Sequence, residues 1–222
     1  MDPALVPALT LLGALLALDG TALGQFMVSR PLVAGTLAGW ILGDPVLGLT
    51  VGCLLEIYLL PIFPVGGAQF PEGGPAAVVG VAAAVVVPGP GGLALGTALG
   101  LAWSQLGARS IRLVRKINGR LTPDPSEGGV SPARVVWGHL GALGLDLLRG
   151  GTLTLAGLGL AGVFAPLLRG SWSLGMTATL ALLTLGASIP AGALLTSLGG
   201  WKRRGWVAGA GFLGLLLGGV LL

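Results

Sequence analysis

Short charged islands separated by long runs of Leu, Ala, Gly and Val decide the solvent in which this chain folds. Apolar stretches run over about 3–18, 31–43, 46–63, 75–88, 91–108, 135–148, 150–168, 171–200 and 205–222. With 54% hydrophobic residues, 9% charged residues and a mean hydropathy of +0.93, the chain has little to present to water. It reads as an all-α polytopic protein, a single membrane domain over 1–222 that crosses the cell (inner) membrane several times and contacts lipid. The first twenty residues lack a basic leader region and carry Asp2, so they read as a first helix and not as a cleaved signal.

Several stretches are too short to cross about 30 Å of hydrocarbon as unbroken helices. The segment 31–43 is one, and "VPGPGG" at 87–92 splits the following region into two more short pieces. Gly- and Pro-interrupted apolar segments are expected to form short discontinuous or re-entrant helical hairpins beside the transmembrane helices. Such backbone survives at membrane depth only where protein or a wet cavity satisfies its freed N–H and C=O groups. The 42 glycines, many inside apolar runs, suit close helix–helix contact.

Charge placement gives topology and excludes other classes. Of twelve Lys and Arg, five lie in one run (Arg109, Arg112, Arg115, Lys116, Arg120) and three in "WKRR" at 201–204. The segment 108–129 reads as a cytoplasmic basic loop whose first part forms an amphipathic turn or two along Ile111, Val114 and Ile117. "WKRR" then lies on the same side, with 150–168 and 171–200 as a pair of crossings between them. The stretch 135–148 becomes interfacial or re-entrant, and 205–222 a last crossing. The basic run has no aromatic interleaving, so no nucleic acid is expected as partner. The single Cys53 excludes an internal disulfide and reads as a packed small hydrophobe; the single His139 excludes a His-rich metal site. No P-loop, metal-ligand spacing or nucleophile elbow is present, so no cofactor is expected.

The acids fall into groups. Asp44 in "LGDPV" fits a helix N-cap, with Gly43 ending one helix and Pro45 opening the next. Asp146 stands three residues before Arg149 and reads as one half of a weak surface pair. Asp19 in "ALDGT" suits a cap or a pocket equally. Glu56 sits among apolar neighbours in "VGCLLEIYLL", with no cation within one turn of its own helix. A charge at mid-membrane is disfavoured by about 2.5–3.5 kcal/mol, which marks Glu56 as a functional candidate facing protein or a wet cavity. The alternative is a buried Glu56 that is protonated or bonded to freed backbone amides. The segment 61–75 has four prolines and four glycines and cannot be a regular helix. Its Gln69 and Glu72 could meet a hydroxyl-rich ligand, or sit in an ordinary external loop.

At "SRPLVAGTLAGWILGDPVLGLTVGCLLE" (29–56) the chain resembles the IIC membrane subunit of the mannose/fructose/sorbose-type phosphotransferase-system (PTS) sugar permeases. Arg30-Pro31-Leu32, Gly39, Gly43-Asp44, Gly48, Gly52 and Glu56 carry the likeness. It continues through "PVGGAQFPEGGPAA" and resumes at "GVSPARVVWGHL" (129–140).

The resemblance implies a permease subunit that translocates a hexose-type sugar beside a IID membrane subunit, in a hetero-oligomer or homo-oligomer. Soluble IIA and IIB phosphocarrier proteins would pass phosphoryl groups to the arriving sugar. A IIC subunit carries no phosphorylated residue, so the chain is no enzyme by itself and has no catalytic residue. The implied substrate-binding residues are Glu56, Gln69, Glu72, Gly66, Gly67, Asp19 and Gln25. The basic segment serves as a docking surface for IIB or as a topology anchor. Gln25 stands where many relatives carry an acid, and Pro64 where some carry a polar residue, differences that bear on the sugar. Two other readings remain: a membrane scaffold or sensor that transports nothing, and an intramembrane enzyme pairing Asp19 with Glu56.

Overall fold

The computed structural model describes residues 1–61, 70–87, 89–121, 131–168, 172 and 174–197. A 3-10 turn at Pro3–Leu5 leads into α1 (Val6–Thr21). There follow α2 (Pro31–Leu42), α3 (Pro45–Leu59), α4 (Gly73–Val86), α5 (Pro90–Leu121), α6 (Pro132–Leu168) and α7 (Met176–Ser197). No strand occurs among the described residues. Three helical segments are long and apolar enough to cross a membrane: Pro3–Thr21, Pro132–Leu168 and Met176–Leu194. Helices α2, α3 and α4 are apolar but shorter. The twelve residues of α2 span only about 18 Å, well short of the hydrocarbon thickness. The expected mixture of spanning and short helices is therefore present.

Glycines set how closely the short helices approach. Gly35 and Gly39 on α2 face Gly48 and Gly52 on α3. A Cβ on Gly39 would lie 2.8 Å from the Gly48 Cα, and one on Gly35 2.8 Å from the Gly52 Cα. Both helices present small residues four apart, so their backbones touch and dispersion contacts replace side-chain packing. The turn between them follows from local chemistry. Gly43 takes the left-handed conformation (φ 82°), and the Asp44 N–H reaches back to the Gly39 carbonyl at 2.9 Å. The Asp44 carboxylate then accepts from the Leu47 N–H at 2.9 Å, as a cap should. In the second hairpin, α4 and α5 close around Gly80, where a Cβ would meet the Gly96 carbonyl oxygen at 2.7 Å.

Helix α4 is the centre. Its sequence of Gly, Pro, Ala and Val is apolar on every face, and twelve of its fourteen residues are buried. Helices α1, α2, α3, α5 and α6 all pack against it. Helices α1 and α6 run antiparallel, with Gly13 beside Thr154 and Gly150 beside Ala17.

Three expectations need correction. Residues 108–121 are not loop: they continue α5, because Arg, Leu and Lys favour helix and Ile111 and Val114 find buried positions. The piece after "VPGPGG" is accordingly not short. The stretches 135–148 and 150–168 are one helix, α6, which runs unbroken through Arg149-Gly150. Cys53 is exposed and not packed inside the chain. Residues 201–222, with "WKRR" and the last apolar stretch, lie outside the described residues.

Candidate functional site

The ends of four helices and one side of α5 meet around a cavity of about 370 Å³. The C-terminal end of α1 supplies Asp19 and Thr21, and the loop before α2 supplies Gln25, Ser29 and Arg30. The last turn of α3 brings Glu56 and Leu59, the start of α4 brings Glu72, and α5 brings Arg115. Phe70 also lines the space, with the Arg115 guanidinium carbon 6.0 Å from its ring centroid. Of the seven candidates named from sequence, Asp19, Gln25, Glu56 and Glu72 line this one cavity. Gly66, Gly67 and Gln69 lie outside the described residues.

Each acid is held by a different device. The Asp19 carboxylate accepts from the Phe26 N–H at 2.7 Å and the Ser29 N–H at 2.9 Å. Of the two expected roles, cap or pocket, the pocket is where Asp19 stands, and there it also fastens the 22–30 loop. That loop needs fastening, since Gln25 (φ 51°) and Met27 (φ 67°) both adopt left-handed backbone unusual for residues with a Cβ. The strained loop carries Gln25 to the cavity.

Glu56 pairs with Arg30, and its other oxygen accepts from the Leu32 N–H at 3.4 Å. The cation comes from α2, not from the helix that carries the acid. Arg30, at the N-cap position of α2, makes no side-chain cap of its own, and Glu56 reaches across from α3 to a free amide there. Position and helix dipole both favour a carboxylate at that point.

Glu72 is the most enclosed of the four. Its two oxygens accept from Arg149, Nη2 to Oε1 at 2.6 Å and Nη1 to Oε2 at 2.7 Å. Arg149 Nε donates to Asp146 Oδ1 at 2.7 Å, and Nη1 also donates to Ser110 Oγ at 2.9 Å. The Thr21 hydroxyl bonds the other Asp146 oxygen. Glu72, Asp146 and Arg149 are 4%, 4% and 8% exposed, so this pair is interior and not the surface pair expected from the i, i+3 spacing. Small residues make the enclosure possible. A Cβ on Gly107 would meet the Glu72 Cβ at 2.6 Å, and one on Gly73 the Pro31 Cγ at 2.6 Å. The Glu72 N–H donates to the Ser104 carbonyl at 3.0 Å, tying the start of α4 to α5.

Sequence reading missed Arg30 and Arg149 as members of the site. Arg149 carried a signal: a cation inside 36 otherwise apolar-rich positions of α6 is expected to find an acid. Asp19 and Glu56 each have partners of their own, and nothing in their geometry pairs them as an acid and a base.

This arrangement offers carboxylate acceptors, an amide and a hydroxyl around a polar recess at the ends of apolar helices. Comparison with known proteins gives the family of the chain. The family model for the sorbose-specific IIC component of the PTS matches residues 5–121, more than half of the 222-residue chain. The chain is 38% identical over 82 residues to the sorbose-specific IIC component of Klebsiella pneumoniae, covering 37% of this chain and 30% of that protein. It is 29% identical over 132 residues to the Lacticaseibacillus casei sorbose-specific component, covering 59% and 47%. The Escherichia coli K12 mannose-specific component is 28% identical over 132 residues, covering 59% and 49%. The chain thus spans half or less of the length of these relatives. Two solved structures share the fold. One, described only as a membrane protein, aligns with TM-score 0.70 and 21% identity over 99% of this chain and 87% of that one. The other, the mannose transporter ManYZ in complex with microcin E492, aligns with TM-score 0.64 and 20% identity over the same shares. The chain belongs to the sorbose-type family of PTS IIC components.

Proposed function

We propose that this chain forms the sugar path of a PTS permease, admitting a hexose-type sugar to the cavity between α1, α2, α3, α4 and α5. The observation that supports this is the convergence of Asp19, Gln25, Glu56 and Glu72 on one recess, although they are spread over 54 positions of sequence. A polyhydroxylated ligand needs acceptors and mixed donor–acceptor groups set around it, which carboxylates, Gln25 and Ser29 supply. Gly66, Gly67 and Gln69 complete the proposed site from the family likeness.

Partner assignments belong to the same proposal. A IID membrane subunit completes the path, and IIA and IIB phosphocarriers supply the phosphoryl group, so that phosphorylation couples to entry. The positive-inside rule sets the basic end of α5 in the cytoplasm. Because Arg115 on that end lines the cavity, the recess lies toward the compartment where phosphorylation would occur.

Uptake of labelled hexose, in cells supplying IIA, IIB and IID, tests the reading. Glu56→Gln at normal membrane abundance is expected to lower uptake at least about tenfold, the effect of weakening a charged hydrogen bond to the solute. Unchanged uptake removes Glu56 from the path. A wild-type chain that joins IID yet supports no sugar-dependent phosphate consumption is a scaffold and not a permease.

A further inference from the structure

We propose that Arg149 is the positioning residue of the sugar site: it fixes the Glu72 carboxylate in the cavity wall as an acceptor for one particular ligand hydroxyl. This rests on the sugar-path reading above and deepens it, since Arg149 does not line the cavity itself.

The bond inventory carries the argument. A guanidinium has five N–H donors in a rigid plane. Four of Arg149's go to Glu72 Oε1, Glu72 Oε2, Ser110 Oγ and Asp146 Oδ1, at 2.6–2.9 Å. Two parallel bonds to both oxygens fix the plane of the Glu72 carboxylate as well as its place, which one ammonium could not do. Each Glu72 oxygen keeps a second lone pair, and Glu72 lines the cavity. What the wall presents at this point is therefore a hydrogen-bond acceptor, suited to a hydroxyl and unsuited to an oxygen that cannot donate.

The network is built to hold that orientation. Asp146 takes the Nε–H and is itself bonded by the Thr21 hydroxyl, so α1, α4, α5 and α6 all contribute to one cluster. Asp146 and Arg149 share a helix three residues apart, so Asp146 steers the guanidinium whatever α4 does. Glu72 is among the residues that line the recess and Arg149 is not, so the acid stands between the guanidinium and the recess.

The test compares wild type, Arg149→Lys and Asp146→Asn, each purified in detergent with its thermal unfolding recorded, for equilibrium binding of hexoses and their single-deoxy analogues. Arg149→Lys keeps the charge and loses the fork; Asp146→Asn keeps the fork and loosens its anchor. In wild type, one deoxy position is expected to weaken binding about tenfold or more, because a site built for a hydroxyl is left unpaired without it. In Arg149→Lys, hexose affinity is expected to fall about tenfold and that deoxy penalty to shrink below about twofold, the other deoxy penalties persisting. Asp146→Asn is expected to fall between. If every deoxy penalty is the same in Arg149→Lys as in wild type, Arg149 only holds helices together and the inference is overturned, whatever the change in unfolding temperature. If Arg149→Lys does not fold, Asp146→Asn alone decides by the same criterion. A folded wild type that binds no hexose overturns the sugar-path reading itself, a result distinguishable from the failure of Arg149's role.

Discussion

Arg149 on α6 grips Glu72 at the start of α4 through two parallel hydrogen bonds, 2.6 Å and 2.7 Å long, across 77 positions of sequence. Both side chains are buried; without Arg149, Glu72 loses its ion-pair partner, whereas Arg149 without Glu72 keeps only Asp146 and Ser110. This contact joins the central short helix to a helix long enough to span the membrane, and it sets the back wall of the cavity.

Removing one partner should therefore harm the fold. Arg149→Met is expected to lower stability by about 3–5 kcal/mol, the penalty for a buried pair broken on one side. It would appear as a large drop in unfolding temperature in detergent. Converting the whole trio (Glu72→Leu, Asp146→Leu, Arg149→Met) is expected to recover most of that loss, since no buried charge then lacks a partner. Sugar binding should not return with it. A triple variant no more stable than Arg149→Met would show that the three residues hold the fold by shape alone.

The α2–α3 hairpin predicts a contrast between two glycines five residues apart, Gly43 and Gly48. Gly48→Ala puts a methyl group 2.7 Å from the Gly39 Cα, where only backbone can move aside, and should abolish folded protein on size-exclusion chromatography. Gly43→Ala meets nothing within 4 Å and is disfavoured only by its left-handed φ of 82°, by about 1–2 kcal/mol. Equal yields of the two variants would refute the close packing.

Asp19 should act on the loop it fastens. The two oxygens of Asp19 serve two different backbone amides, Phe26 and Ser29, and Asn can accept at only one of those positions. Asp19→Asn is expected to speed amide hydrogen exchange at Phe26 or Ser29 by about tenfold or more, matching loss of one charged hydrogen bond. Exchange elsewhere in α1 should hardly change. Wild-type exchange rates across 22–30 would mean that the carboxylate does not set that loop.

How much of this could be read from the chain depended on range. The Gly43-Asp44-Pro45 turn was legible because capping is settled within four residues. The short helices were legible because glycine and proline announce their ends, as at Val86 and Pro90. Helix α6 was misread at Arg149-Gly150: a cation followed by two glycines looks like a break, yet Gly150 sits in the helix to admit Ala17 of α1. The basic part of α5 was legible as an amphipathic turn or two along Ile111 and Val114, both buried, but its charge hid that these turns continue the helix from Pro90. Glu56 stood out by being costly in lipid, whereas the cations that hold Glu56 and Glu72 could not be named. Arg30 and Arg149 meet their acids 26 and 77 positions away, a matter of packing that no local pattern encodes.

Hydroxyl-rich solute is expected to enter the recess bounded by Asp19, Gln25, Glu56 and Glu72. Cys53 is the only cysteine, so a Cys53→Ser background with Gln25→Cys places one thiol at the cavity wall. The rate at which a water-soluble maleimide labels that thiol should fall severalfold when a transported hexose is added at concentrations that saturate uptake. A labelling rate unchanged by saturating hexose, in protein that still takes the sugar up, would place the path somewhere else.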